Sequence, residues 1–193
     1  MNAKTNFTNW KRKISCYKYS FLEFLAVKIN FFNKLLIKWR TPVFLKEIEM
    51  ANVTSKDKVL HLGCGFFPTA SLIVAEKTKA KVIGIDNNKI ALNFAKKVVE
   101  KKNLSDFIKI EFGDGTNYDM KQFNVIFIAI NVWPIDDVLQ HLSAHCNKDA
   151  RIVCRGLKDM LDIFEKKPLS DLYYVEKKAT NPKTHSFLLS LKH

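Results

Sequence analysis

Two glycines separated by one cysteine, Gly63-Cys64-Gly65, follow an apolar run and precede a helical pattern. Missing β-carbons let a backbone turn sharply there and come close to a ligand, and the amides opening the next helix would face that ligand. Asp86 ends the next β-rich run 21 residues after Gly65, the usual offset for a carboxylate that accepts hydrogen bonds from ribose hydroxyls. Asp86 could also cap a helix or shape a turn with Asn87 and Asn88. A third turn, Gly113-Asp114-Gly115, follows another β-rich run. It places a carboxylate and pliant backbone where an adenine edge could sit, or serves as a turn alone. The chemistry all this favours is the gripping of a nucleoside.

Other residue types invite weaker readings. Asn131 and Trp133, within Asn131-Val132-Trp133-Pro134, either face a substrate or cap and pack. Arg155 could hold an anionic substrate or a cofactor carboxylate in a charge-assisted pair. His141 and His145 have a helical ligand spacing but no third ligand accompanies them, so no metal site is expected. No Ser-His-Asp arrangement and no paired carboxylates stand out.

The elements that must position these groups begin at Lys58. Strands are expected at Val59–Leu62, Lys81–Ile85, Ile108–Phe112, Asn124–Ile130 and Arg151–Cys154, alternating with helices at Ala70–Glu76, Asn88–Lys102 and Asp136–Cys146. Such alternation builds right-handed βαβ units and a parallel sheet covered on both faces, with its ligand beyond the carboxyl ends of the strands. A helix around Met160 to Glu165 and two closing strands, Leu172–Val175 and Ser186–Leu191, complete the pattern. The turn-prone Asn181-Pro182 makes those last two an antiparallel pair.

Residues 1 to 53 differ: ten Lys or Arg stand against three Glu, with many aromatics and no glycine. Phe21, Leu22, Leu25, Ile29, Phe32, Leu36 and Trp39 recur at helical intervals, which predicts an amphipathic helix that Thr41-Pro42 ends or kinks. A second short helix is expected from Val43 to Met50. This helical extension packs its stripe on the following domain or on another copy of the chain, closes over the active site as a lid, or meets a membrane or nucleic acid. The division is thus 1–53 and 54–193.

The 193 residues suit one domain with an appendage, and a net charge of +13 gathers anions of any kind. Four scattered cysteines without a Cys-x-x-Cys pair read as reduced thiols, consistent with a cytoplasmic location. Lys11, Arg12, Lys13, Lys18, Glu23 and Lys28 interrupt the N-terminal apolar residues, against an export signal or a spanning helix.

The runs Val59-Leu60-His61-Leu62-Gly63-Cys64-Gly65, Ile83-Gly84-Ile85-Asp86 and Phe112-Gly113-Asp114-Gly115 together resemble the Rossmann-like class I S-adenosylmethionine-dependent methyltransferases, over roughly Thr54 to His193. The resemblance implies an α/β fold with a seven-stranded, mostly parallel sheet and S-adenosylmethionine as cofactor. It also implies that Gly63, Cys64, Gly65, Asp86, Asn87, Asp114, Gly115 and Asn131 line that cofactor. Nicotinamide-dependent oxidoreductases also pair Gly-x-Gly with an acid, but their third glycine is missing here. Two positions depart from the methyltransferase pattern: His61 stands where an acid is usual and Phe67 near a usual glycine.

Gly63-Cys64-Gly65-Phe66-Phe67-Pro68 is also similar to the turn of nicotianamine synthase and related enzymes, as are Phe127-Ile128-Ala129 and Val153-Cys154-Arg155. That resemblance implies transfer of the aminocarboxypropyl group. In either chemistry the sulfonium is already activated, so the protein chiefly aligns a nucleophile and excludes water. A base for a protonated amine acceptor is sought in Glu47 or Glu49. The expected function is therefore methyl transfer to a small or medium-sized acceptor. Aminocarboxypropyl transfer is the first alternative, and non-catalytic binding of nucleic acid or a membrane surface through the basic N-terminal region is the second.

Overall fold

The computed structural model describes residues 18, 20–156, 164–181 and 184–192. The seven strands are β1 (Lys58–Leu62), β2 (Lys81–Asp86), β3 (Ile108–Phe112), β4 (Val125–Ile128), β5 (Arg151–Gly156), β6 (Tyr173–Thr180) and β7 (His185–Leu191). They form one sheet in the order β3-β2-β1-β4-β5-β7-β6. All neighbours are parallel except β7, which runs antiparallel to both β5 and β6. This is the Rossmann-like α/β sheet expected from the alternation of runs.

Alternation within the central strands fixes the two faces, because successive side chains of a strand point opposite ways. Val59, Val125, Phe127 and Val153 join one core layer, whereas Leu60, Ile126, Ile128 and Ile152 join the other. The first layer is closed by the helices α3 (Thr69–Thr78) and α4 (Lys89–Lys101), the second by α5 (Ile135–His145) and the short α6 (Leu169–Leu172). Strands buried on both sides read as continuous apolar runs, which is why they are legible in the sequence.

The N-terminal region differs from expectation. Helical residues 20–28 form α1, Ile29 breaks the helix with φ −120° and ψ 115°, and α2 then runs from Asn30 through Pro42 to Met50 without stopping. A proline inside a helix deprives the carbonyl four residues back of its partner. That residue is Lys38, which is exposed, while the Thr41 hydroxyl donates to the Ile37 carbonyl at 2.7 Å. The helix therefore continues through Thr41-Pro42, where the sequence pattern predicted an end or a kink, and the second helix expected from Val43 to Met50 is its last part.

The buried face also differs. Phe21, Leu22, Ile29, Phe32 and Trp39 of the predicted stripe are exposed, as are Phe24, Phe31 and Leu35. Leu36 of the stripe is buried and Leu25 half-buried, and the other residues that pack are Ala26, Asn33, Phe44 and Glu47, with Ile37 and Ile48 half-buried beside them. Their spacing is helical, but Asn33 and Glu47 are polar, and polar residues enter a packing face chiefly when partners await them. Met160 to Ile163 of the expected helix, Pro182, Cys16 and Lys11 to Lys13 lie outside the described residues. No helix among the described residues is long and apolar enough to cross a membrane.

Candidate functional site

β1 and β4 are neighbours although two strands intervene in sequence, so the chain order reverses between them. Loops leaving such a point diverge to opposite faces and open a crevice at the carboxyl ends of the strands. A cavity of about 770 Å³ lies there, within the range of small-molecule sites. It is lined by the turn after β1, the ends of β2 and β4, the loop after β3, and residues of α1 and α2.

Gly63 and Gly65 both have positive φ, +75° and +67°. A β-carbon on Gly63 would lie 2.7 Å from Val132 Cγ2, and one on Gly65 would strike the Glu23 carboxylate. The turn is thus a cradle that only hydrogen can line. Gly65→Ala should cost about 1–3 kcal/mol through its backbone conformation and displacement of Glu23, read as a lower urea midpoint; an unchanged midpoint would contradict the collision.

Asp86 lies at the tip of β2. One carboxylate oxygen accepts from the Gly65 amide at 2.9 Å and the other from the Asn88 amide at 2.9 Å. Helix capping falls to Asn88 instead, whose side chain accepts from Ile90 and Ala91. Asp86 therefore keeps acceptor positions toward the cavity, since a carboxylate offers about four lone-pair sites. Burial pushes its pKa up, against the three backbone bonds that lower it.

Asp114 also lines the cavity, but one oxygen is engaged by the amide and hydroxyl of Thr116 at 2.9 and 2.8 Å. Those bonds hold its carboxyl below the usual range. Cys64, Asn87, Gly115, Asn131 and Trp133 line the same cavity, with Trp133 exposed at its mouth. Burial raises the Cys64 thiol well above its ordinary value, which keeps it protonated and unreactive.

Two candidates are placed elsewhere. Glu49 is exposed and does not line the cavity, and Glu47 is sealed at 1% exposure. Both Glu47 oxygens are bound by the Arg155 guanidinium, and the Ser186 hydroxyl donates to one at 2.5 Å. Arg155 is in turn stacked over the Phe44 ring, 4.1 Å from its centroid. Glu47 and Arg155 thus satisfy each other: the first is no free base, and the second lines the cavity with its fork already engaged. His141 bonds the Tyr118 carbonyl at 2.9 Å and stacks on His145.

Sequence reasoning passed over Glu23, Arg40 and Asn181 as site residues, yet all three line the cavity. Glu23 is the one acidic residue among residues 1–46, a signal that was there to be seen. Its carboxylate accepts from Arg40 at 3.1 Å and from the Phe66 amide at 3.2 Å. Burial raises its pKa, opposed first by the Arg40 charge. The side-chain nitrogen of buried Asn181 has no partner among the described residues.

His61 fills the place of the expected acid. It bonds Ser71 Oγ at 2.9 Å, and burial, then the charges of Arg155 and Arg40, push its pKa down to about 3. The unfolded chain binds a proton below about pH 6.5 that the folded chain refuses, so stability is present above that pH and lost on acidification. This residue should contribute a slope of up to about 1.4 kcal/mol per pH unit, absent in His61→Asn. Urea midpoints of both proteins between neutral and mildly acidic pH test this, and parallel profiles would refute it.

Comparison with known proteins agrees with this geometry. A family model described as a methyltransferase domain matches residues 53–166. Among solved structures, a mutant of MtNAS in complex with S-adenosylmethionine is 17% identical, with a TM-score of 0.78 over 100% of this chain and 80% of that chain. A Salinibacter ruber RNA methyltransferase in complex with S-adenosyl-L-homocysteine is 16% identical, covering 78% of this chain and 90% of its own, with a TM-score of 0.64. A ribosomal-protein methylase from Lactobacillus delbrueckii subsp. bulgaricus is 18% identical, covering 80% of each chain, with a TM-score of 0.67. At these identities the likeness speaks to fold. No curated protein matches the sequence.

Proposed function

Because the chain belongs to the methyltransferase-domain family, we propose that it binds S-adenosylmethionine in the cavity at the strand tips and transfers the activated methyl group to a small or medium-sized acceptor. The observation that carries this reading is Asp86, which braces the glycine turn through Gly65 and keeps lone pairs toward the cavity.

The residues fit the cofactor. Gly63 and Gly65 give the turn the backbone it needs and let Val132 and the Glu23 carboxylate close on it, Asp86 would take the ribose hydroxyls, and the loop of Asp114 and Gly115 would border the adenine. The sulfonium supplies an electrophilic carbon with a good leaving group. The protein supplies position and dryness: residues of α1 and α2 wall the cavity, and Asn131 and Trp133, which also line it, would border the acceptor.

A second reading, aminocarboxypropyl transfer, draws support from one feature. The MtNAS fold spans this whole chain, N-terminal helices included, whereas the two methylases cover 78% and 80% of it. By-products separate the two. Incubation with S-adenosylmethionine and a small-metabolite extract, followed by mass spectrometry, should yield S-adenosylhomocysteine and an acceptor heavier by one methylene. Methylthioadenosine with a larger mass gain would establish the second reading instead. No turnover, together with no calorimetric heat from any adenosyl compound, would sink both.

A further inference from the structure

A pair of opposite charges borders the cavity where the glycine turn meets the N-terminal helices. Glu23 on α1 and Arg40 on α2 are joined at 3.1 Å, and each side chain is only 15% exposed. Both line the cavity. Arg40 also donates to Thr69 Oγ1 at 3.1 Å, and the Phe66 amide donates to Glu23. We propose that Glu23 and Arg40 form a receptor for the head group of an α-amino acid, with Glu23 taking the ammonium and Arg40 the carboxylate. This deepens the S-adenosylmethionine reading and rests on it.

Charge balance decides which ligand can open the pair. A buried pair opens cheaply only for a ligand that leaves neither member alone, because an uncompensated buried charge costs several kcal/mol. A zwitterion does this: its ammonium replaces Arg40 on Glu23 while its carboxylate replaces Glu23 on Arg40, as a charge-assisted and fork-shaped contact. A ligand that carries one charge alone leaves one partner stranded.

The surroundings give the exchange a direction. Arg40 is held by Thr69 Oγ1 as well as by Glu23, so the guanidinium keeps its place when the pair opens and the carboxylate belongs on that side. The ammonium belongs at Glu23, over Gly65 and Phe66. The acid usual at position 61 is absent, and Glu23 brings a carboxylate to the cavity from a different element. The Glu47–Arg155 pair cannot serve in this way, since Glu47 is sealed and fully engaged.

Two molecules offer this head group: the methionine end of the cofactor, or an amino-acid acceptor. Calorimetry on the parent, Glu23→Gln and Arg40→Met separates them, with S-adenosylhomocysteine, methylthioadenosine, and L-methionine added to methylthioadenosine-saturated protein. If the cofactor is the source, the parent prefers S-adenosylhomocysteine over methylthioadenosine, and each variant cuts that preference by about tenfold to a hundredfold with methylthioadenosine affinity unchanged. If an acceptor is the source, the preference stays but both variants lose L-methionine.

N-acetylated S-adenosylhomocysteine and N-acetyl-L-methionine, tested on the parent alone, repeat each arm without a mutation and should bind weakly. Variants that melt earlier yet keep both the preference and L-methionine binding would reduce the pair to a structural one and overturn the proposal. A parent that binds methylthioadenosine but is indifferent to N-acetylation overturns the proposal while leaving the function intact. A parent that binds neither nucleoside removes the function and this inference together.

Discussion

Asp86→Ala should weaken binding of S-adenosylhomocysteine by about a hundredfold to a thousandfold. Two ribose hydroxyls share one carboxylate, each hydrogen bond to a charged group is worth about 1.5–3 kcal/mol, and water filling part of the gap in the variant discounts their sum. The carboxylate has a second duty, since it also receives the amides of Gly65 and Asn88. Its loss should loosen the turn and the start of α4 as well as the ribose contacts. Asp86→Asn, which keeps one acceptor oxygen, should fall between the two proteins. Calorimetric titration measures this directly, and an alanine variant within about threefold of the parent would leave the cavity without its nucleoside anchor.

Glu47→Ala should be among the most destabilising single changes in the chain. It strands the Arg155 guanidinium, whose side chain is 16% exposed and pressed on the Phe44 ring, and it removes the acceptor of Ser186. Breaking a buried pair from one side costs about 3–5 kcal/mol, or about 10 °C in melting temperature for a chain of this size. Replacing both partners with methionine should recover much of the loss, because an apolar pair strands no charge. Thermal unfolding of the single and double variants decides it. A single variant that melts with the parent would mean that Glu47 does not tie α2 to β5 and β7.

These two predictions rest on residues of very different legibility. Asp86 was visible in the sequence because its chemistry is local: a short apolar run ends in an acid at a fixed distance from a glycine turn, and strand geometry then sends it to the cavity. The same locality exposed the sheet, whose strands are buried on both faces and therefore apolar along their length. Glu47 was noticed, but for a role it does not fill. Its place depends on Arg155 and Ser186, 108 and 139 residues away, and no spacing rule reaches that far.

The N-terminal helices carry the clearest contrast. Of the apolar stripe that periodicity chose, Phe21, Phe32 and Trp39 are exposed while Leu36 is buried, and the face that packs adds Ala26, Asn33, Phe44 and Glu47, with Arg40 half-buried among them. A hydrophobic pattern ranks residues by their cost in an empty apolar core, and it misplaces a polar residue whose partner arrives from another element. Pro42 misleads for a related reason: the broken backbone bond falls at exposed Lys38, so the helix continues past it.

By itself, then, the sequence determined what short-range chemistry can encode: the alternation of strands and helices, the bare glycine turn, and the acid that braces it. Only the tertiary structure decided which charges of the N-terminal helices meet which partners, because a buried ion pair is chosen by what remains to neutralise it once the sheet has formed.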